Sequence, residues 1–238
     1  MSRPDIIRRY MIERYPARRF VALALFVSGS GFLAVPSAQS GNATNALDSI
    51  IRGALVAGLI VLALRVWDDL EDRSHDAFAH PARITVRPDS TNPLRYVSLV
   101  SGGIAIALVA IGVDPMNRLL ICAVLGIALA AWYRVRASLS PSRVFAAHVV
   151  LAKYPVIAYI AAPEALRRSS GLAFAAPVFI AMYLLLCIHE ALDDPELFHS
   201  RVGRRVLLAE SVLMLPLLGL VIASISHLQL FFGRGSLQ

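Results

Sequence analysis

Seven apolar runs, each about as long as a bilayer core is thick, fill most of this 238-residue chain. They lie at about 20–35, 50–67, 96–113, 119–133, 144–162, 172–188 and 206–226. Runs of this kind have few ways to be buried. In lipid every backbone polar group must find its partner within the chain, which leaves helices as the spanning form for stretches of this length. The composition agrees: 57% of residues are hydrophobic, 16% are charged and mean hydropathy is +0.65. An ordinary soluble domain is less apolar than this. The expected fold is all-α, a single polytopic transmembrane bundle of about seven spans over residues 1–238. The basic segment 1–19, with six arginines, is expected to lie at the membrane interface.

The net charge of +7 comes from 22 Arg and one Lys. No basic stripe with interleaved aromatics accompanies it, so nucleic acid is not an expected partner. Membrane lipids are, since arginines flanking spans meet headgroups and set orientation. With the N-terminus in the cytoplasm, seventeen arginines fall on the cytoplasmic side and five on the other, with Lys153 inside a span. An N-terminus in the cytoplasm is therefore expected. The preference for Arg over Lys and the many alanines point to a GC-rich bacterial genome, and so to a bacterial inner membrane. The basic leader is long and the first apolar run is followed by others, so no cleavable signal peptide is expected. Cys122 and Cys187 lie inside apolar runs without metal-ligand spacing, so they are read as small core residues.

Acidic residues are concentrated in two places. Arg65–Asp76 reads RVWDDLEDRSHD and closes the second run; His189–Glu196 reads HEALDDPE and closes the sixth. Nine of the sixteen carboxylates in the chain lie in these two stretches. Helical offsets of three, four and seven place Asp69, Asp72 and Asp76 on one face, with Asp68 beside it. Glu190, Asp193 and Asp194 have similar offsets. Like charges so placed repel unless something positive neutralises them. Mg²⁺, held by one or two carboxylates with water and phosphate oxygens, suits that role. With both clusters on the cytoplasmic side, each can hold a metal against a departing diphosphate. The diphosphate candidates are Arg83, Arg134, Arg136 and Lys153.

The stretch DDLEDRSHD resembles the first Asp-rich motif of the UbiA superfamily of intramembrane prenyltransferases, with Asp68, Asp69, Asp72 and Asp76 in its four positions. His80-Pro81-x-Arg83 and Arg87-Pro88 are similar to the basic loop that follows that motif in the family. Glu13-Arg14-Tyr15-Pro16 is similar to the start of some short bacterial members. The resemblance runs from about Glu13 to Gly203. The second motif departs from the pattern, because Leu197 stands where its last Asp is expected, and family members typically have nine spans rather than seven. The resemblance implies a helical bundle with a cavity open to the bilayer. It implies Mg²⁺-dependent ionisation of an isoprenoid diphosphate and transfer of the prenyl group to an aromatic or lipid acceptor. Asp68, Asp69, Asp72 and Asp76 would serve one metal, and Glu190, Asp193 and Asp194 the other.

Other readings stand beside this one. A terpene cyclase on the same scaffold would use the same acids. A transporter, or a degenerate homologue without activity, would use them differently, although no inverted repeat supports a transporter. Each residue also has a plainer reading. The acids can be a solvated turn, and Arg134 and Arg136 can be interface anchors. Lys153 sits mid-span, where a charge is expensive and by default functional, but it can instead pair with a carboxylate. His148 is read as a buried, hydrogen-bonded residue rather than a ligand. The spacing of His75, His80, His189 and His199 matches no compact zinc site.

Overall fold

The computed structural model describes residues 2–33, 43–112, 114–139, 142–162, 171–193 and 200–234. Every regular element in them is helical. In chain order these are α1 (Arg3–Arg14), α2 (Ala17–Leu33), α3 (Ala43–Glu71), α4 (Arg73–Ala79), two 3₁₀ turns (Ile84–Val86 and Pro88–Ser90), α5 (Thr91–Ala110), α6 (Pro115–Leu139), α7 (Arg143–Leu151), α8 (Lys153–Ala161), α9 (Gly171–Asp193) and α10 (Arg201–Arg234).

Among the described residues, six stretches are long and apolar enough to cross a membrane: Leu47–Glu71, Pro88–Ala110, Pro115–Arg136, Arg143–Ala161, Ala175–Asp193 and Arg201–Ile222. The chain is thus built as an integral membrane protein. The remaining expected span corresponds to α2, which has 17 residues, and its first turn carries Arg18 and Arg19. That leaves Phe20–Leu33, about 21 Å of helix at 1.5 Å per residue, against a hydrocarbon core of about 30 Å. The expected run continues to 35, beyond the described residues.

The centre of the bundle is α3, which packs on α5, α2 and α8. Val27 of α2, Val56, Ala57, Ile60 and Val61 of α3, Ala105 and Val109 of α5, and Ile157, Ala158 and Ile160 of α8 form the main buried cluster. Large apolar side chains on the outer faces stay exposed, among them Ile106, Leu120, Ile127, Leu213 and Leu215. A soluble protein would not leave that much apolar surface open, whereas a bilayer covers it.

Lipid tails are as apolar as the helices, so close backbone approach rather than hydrophobic expulsion drives association here. Small residues provide it. A Cβ added at Gly31 would lie 2.7 Å from the Ala158 carbonyl oxygen, and one at Gly53 would lie 2.6 Å from Ser28 Oγ and 2.9 Å from the Ala161 oxygen. Ser28 in turn donates to the Ile50 carbonyl across the α2–α3 seam at 3.1 Å. The α7–α8 span is broken at Ala152, where Pro155 has no N–H to give Leu151. The break leaves Lys153 as the first residue of α8.

Gly31→Ala and Gly53→Ala are expected to destabilise the bundle by about 1–3 kcal/mol each, as overpacking does. Gly29→Ala, on the same helix with open space around its Cβ, is expected to be neutral. Thermal unfolding in detergent measures this, and three indistinguishable melting curves would refute the close-packed seam.

Candidate functional site: the acidic end of α3

Four aspartates occupy the junction of α3 and α4. The helical path continues across it, since Asp72 N–H donates to the Asp68 carbonyl and Asp76 N–H to that of Asp72, both at 2.9 Å. The side chains nevertheless diverge. Asp68 points toward α6 and α8. There Lys153 Nζ and the Tyr133 hydroxyl both donate to it, and all three residues are buried. Asp72, about half exposed, is one turn further on and takes Arg136 of α6 at 2.6 Å. The Arg136 guanidinium also covers the Tyr133 ring at 4.7 Å, and Trp67 packs on the same ring at 5.5 Å. Asp68 and Asp72 therefore share a face with Tyr133, Arg136 and Lys153.

Asp69 faces the other way. It accepts from Arg14 Nη2 at 2.6 Å and Nε at 3.2 Å, and from the Tyr10 hydroxyl at 2.8 Å. Arg65 lies 3.8 Å from it on α3. Asp76 is buried and takes Arg83 at 2.5 Å. The following loop is closed by Arg73, which donates to the Val86 carbonyl at 3.0 and 3.3 Å and to Thr91. Ile84 N–H donates to Glu13 of α1 at 3.2 Å.

Sequence reasoning missed the part played by α1. Far from lying only on the surface, it buries Ile6 and Tyr10 with Tyr15, Val66, Ile84 and Leu94 in a cluster over the acidic end, while Arg3, Arg8, Arg9 and Ile12 stay exposed. Its contacts are made across more than fifty residues of sequence, so no local spacing reveals them. Burial, then the charge and hydrogen bond of Asp69, push the Tyr10 phenol far above its ordinary value. Burial would lower Arg14, but its hydrogen bond to Asp69 and that carboxylate's charge outweigh it and hold the guanidinium up.

The second acidic stretch is only partly drawn in. Glu190 is half-buried and interacts electrostatically with Arg65, which also feels Asp68 and Asp69. Asp193 is exposed at the end of α9. Asp194 lies outside the described residues. Arg134 is exposed on α6 and has no polar partner among the described residues. Of the four diphosphate candidates, then, Arg83, Arg136 and Lys153 meet the aspartates and Arg134 does not. Lys153 pairs with a carboxylate, and His148 is hydrogen-bonded. Compared with known proteins, the chain matches no protein-family model, no curated protein and no solved structure.

Arg14→Ala leaves Asp69 buried with a weakened partner set and is expected to cost about 3 kcal/mol, the lower end for a broken buried pair. Tyr10→Phe removes one hydrogen bond and is expected to cost about 1 kcal/mol. The folded Tyr10 value lies above the unfolded one of 10.0, so its contribution is complete below that pH and is lost as pH rises past it. Proteolysis of the α1 segment should accelerate above about pH 10. Tyr10→Phe should blunt that rise in part, since the buried Tyr15 is shifted in the same direction. A pH-independent rate would refute a role for the buried Tyr10 in holding α1 against Asp69.

Proposed function

We propose that this chain is an intramembrane prenyltransferase of UbiA type. In this reading it binds an isoprenoid diphosphate at the acidic end of α3 and transfers the prenyl group to an aromatic or lipid acceptor. The observation that carries the reading is the face shared by Asp68, Asp72, Tyr133, Arg136 and Lys153. Buried charge at the end of a membrane bundle is costly to build and marks functional sites by default.

The residue chemistry supports it. A guanidinium has five N–H donors and an ammonium three. Arg136 and Lys153 therefore keep donors for phosphate oxygens beyond those given to their aspartates. The half-exposed Asp72–Arg136 pair is worth little in water, about 0–1 kcal/mol, so it yields readily to an incoming anion. Trp67, packed on Tyr133 at the same point, brings an aromatic ring of the kind that favours a developing allylic cation. Asp68 and Asp72 supply hard oxygen donors in the number that suits Mg²⁺, and they are the residues that would hold it. The ion, when bound, neutralises charge building on the leaving diphosphate. Asp69 and Asp76 act here as positioning residues, one fixing α1 and the other the loop through Arg83. Arginine distribution puts this end of the bundle in the cytoplasm. The same distribution, with the compositional bias, supports a bacterial inner membrane.

A second reading has one observation in its favour. Each of the four aspartates already has a protein cation: Lys153, Arg14, Arg136 or Arg83. A bundle locked by these pairs needs no substrate to be neutral. Diphosphate release by the purified protein separates the two. The assay offers geranyl, farnesyl and geranylgeranyl diphosphate, with and without Mg²⁺ and acceptors. Mg²⁺-dependent release is expected, reduced about 100-fold or more by Asp72→Ala or Arg136→Ala. A cyclic hydrocarbon formed without acceptor would make the enzyme a terpene cyclase. No release from any substrate would sink the enzymatic reading and leave the structural lock.

A further inference from the structure

A second polar cluster lies away from the aspartates. His148 of α7, Cys187 of α9 and Glu210 of α10 converge with one donor atom each, all within 4.8 Å of one another. Glu210 and Cys187 are buried and His148 is half-buried. Together with Glu190 they line a cavity offering about 20 Å³ to the centre of a water-sized sphere. That is room for little more than one water. An isoprenoid does not fit there, but a single ion does.

The imidazole is set as a ligand's would be. Nδ1 lies 2.6 Å from the Val144 carbonyl, which can only accept, so Nδ1 carries a proton. Nε2 is thereby aimed at Glu210 Oε1, 2.6 Å away. A carbonyl holding the far nitrogen is the arrangement that fixes tautomer and ring orientation in metal-bound histidines. The Tyr183 ring packs edge-on to the imidazole at 6.2 Å, and its hydroxyl donates to the His148 carbonyl at 3.2 Å.

We propose that His148, Cys187 and Glu210 form a binding site for a divalent transition metal of the zinc class. One imidazole nitrogen, one thiolate and one carboxylate give a borderline-soft donor set, which Mg²⁺ and Ca²⁺ avoid and Zn²⁺ accepts. Three protein ligands leave a fourth position open to the cavity. Charge balances as well: a thiolate and a carboxylate against a dication sum to zero, the favourable state inside a membrane. Binding releases two protons, one from the Cys187 thiol and one shared between His148 and Glu210. Ligands on a tetrahedral zinc stand roughly 3.3 Å apart at bond lengths near 2.0 Å, so the His148–Glu210 pair parts by less than about 1 Å. The site stands independently of the Asp-rich end.

Full-length protein, purified without a histidine tag and stripped of metal, is titrated with Co²⁺ in detergent and then with Zn²⁺. One Co²⁺ per chain is expected, with near-ultraviolet thiolate-to-cobalt absorption that Zn²⁺ abolishes. Cys187→Ser should remove that band, and His148→Ala and Glu210→Gln should weaken binding at least about tenfold. Cys122→Ser and Asp72→Ala should change nothing, which separates this site from the prenyl-diphosphate reading. In unmutated protein, Zn²⁺ should slow maleimide modification of Cys187 and leave Cys122 unaffected, a comparison that needs no variant to fold. No stoichiometric binding, a band that survives Cys187→Ser, or equal thiol rates with and without Zn²⁺ would overturn the proposal.

Discussion

One buried contact fixes how the helices of this bundle meet. Asp68 of α3 receives Lys153 of α8 and the Tyr133 hydroxyl of α6, and all three are almost wholly withdrawn from solvent. Apolar packing alone sets helix register loosely, because one greasy ridge fits another at several offsets. A buried charge tolerates only the offset that supplies its partner, since a carboxylate left without a cation in this setting costs several kcal/mol. Lys153 reaches its place because Pro155 breaks the span at Ala152 and starts α8 there.

From this contact the rest of the acidic end follows by charge. Glu71 lies among four aspartates within nine residues, and the aspartates repel one another on any helix. The chain resolves the repulsion by sending each to a different cation on a different element: α8 for Asp68, α1 for Asp69, α6 for Asp72 and the loop after α4 for Asp76. Each aspartate is thus met by a cation of its own. The division also assigns tasks by exposure. Asp68 and Asp69 are sealed, whereas Asp72 and Arg136 remain in partial contact with solvent, where an incoming anion can compete.

Much of this was legible in the sequence. Run length and composition indicate a helical membrane bundle, because backbone satisfaction in lipid leaves little choice. Lys153 and the aspartates stand out as charges where charge is expensive. Local periodicity could not say that Asp68 and Asp72, rather than Asp69 and Asp76, would share a face with α6. The choice depends on which neighbour brings the cation, and that is tertiary information. Arg14 and Tyr10 were hidden for the same reason, since their partner Asp69 is 55 and 59 residues away. Glu210 did have a signal: it is a lone carboxylate inside the last apolar run, the kind of residue that intramembrane energetics mark as unusual. His148, inside the fifth apolar run, stood out in the same way, but nothing local could join it to Glu210 or Cys187, because the three sit on different helices.

The two polar centres differ in kind. At the α3 end oxygen donors alternate with guanidinium and ammonium groups, a setting for hard ions and phosphates. Among α7, α9 and α10 the donors are nitrogen, sulfur and oxygen, suited to softer ions. Glu190 touches both settings: it lines the small cavity and interacts with Arg65, which leans on Asp69. Among the described residues, Arg65 has no carboxylate as close to it as the other four cations have to theirs. Its guanidinium is shared between Asp69 and Glu190 rather than committed to one carboxylate.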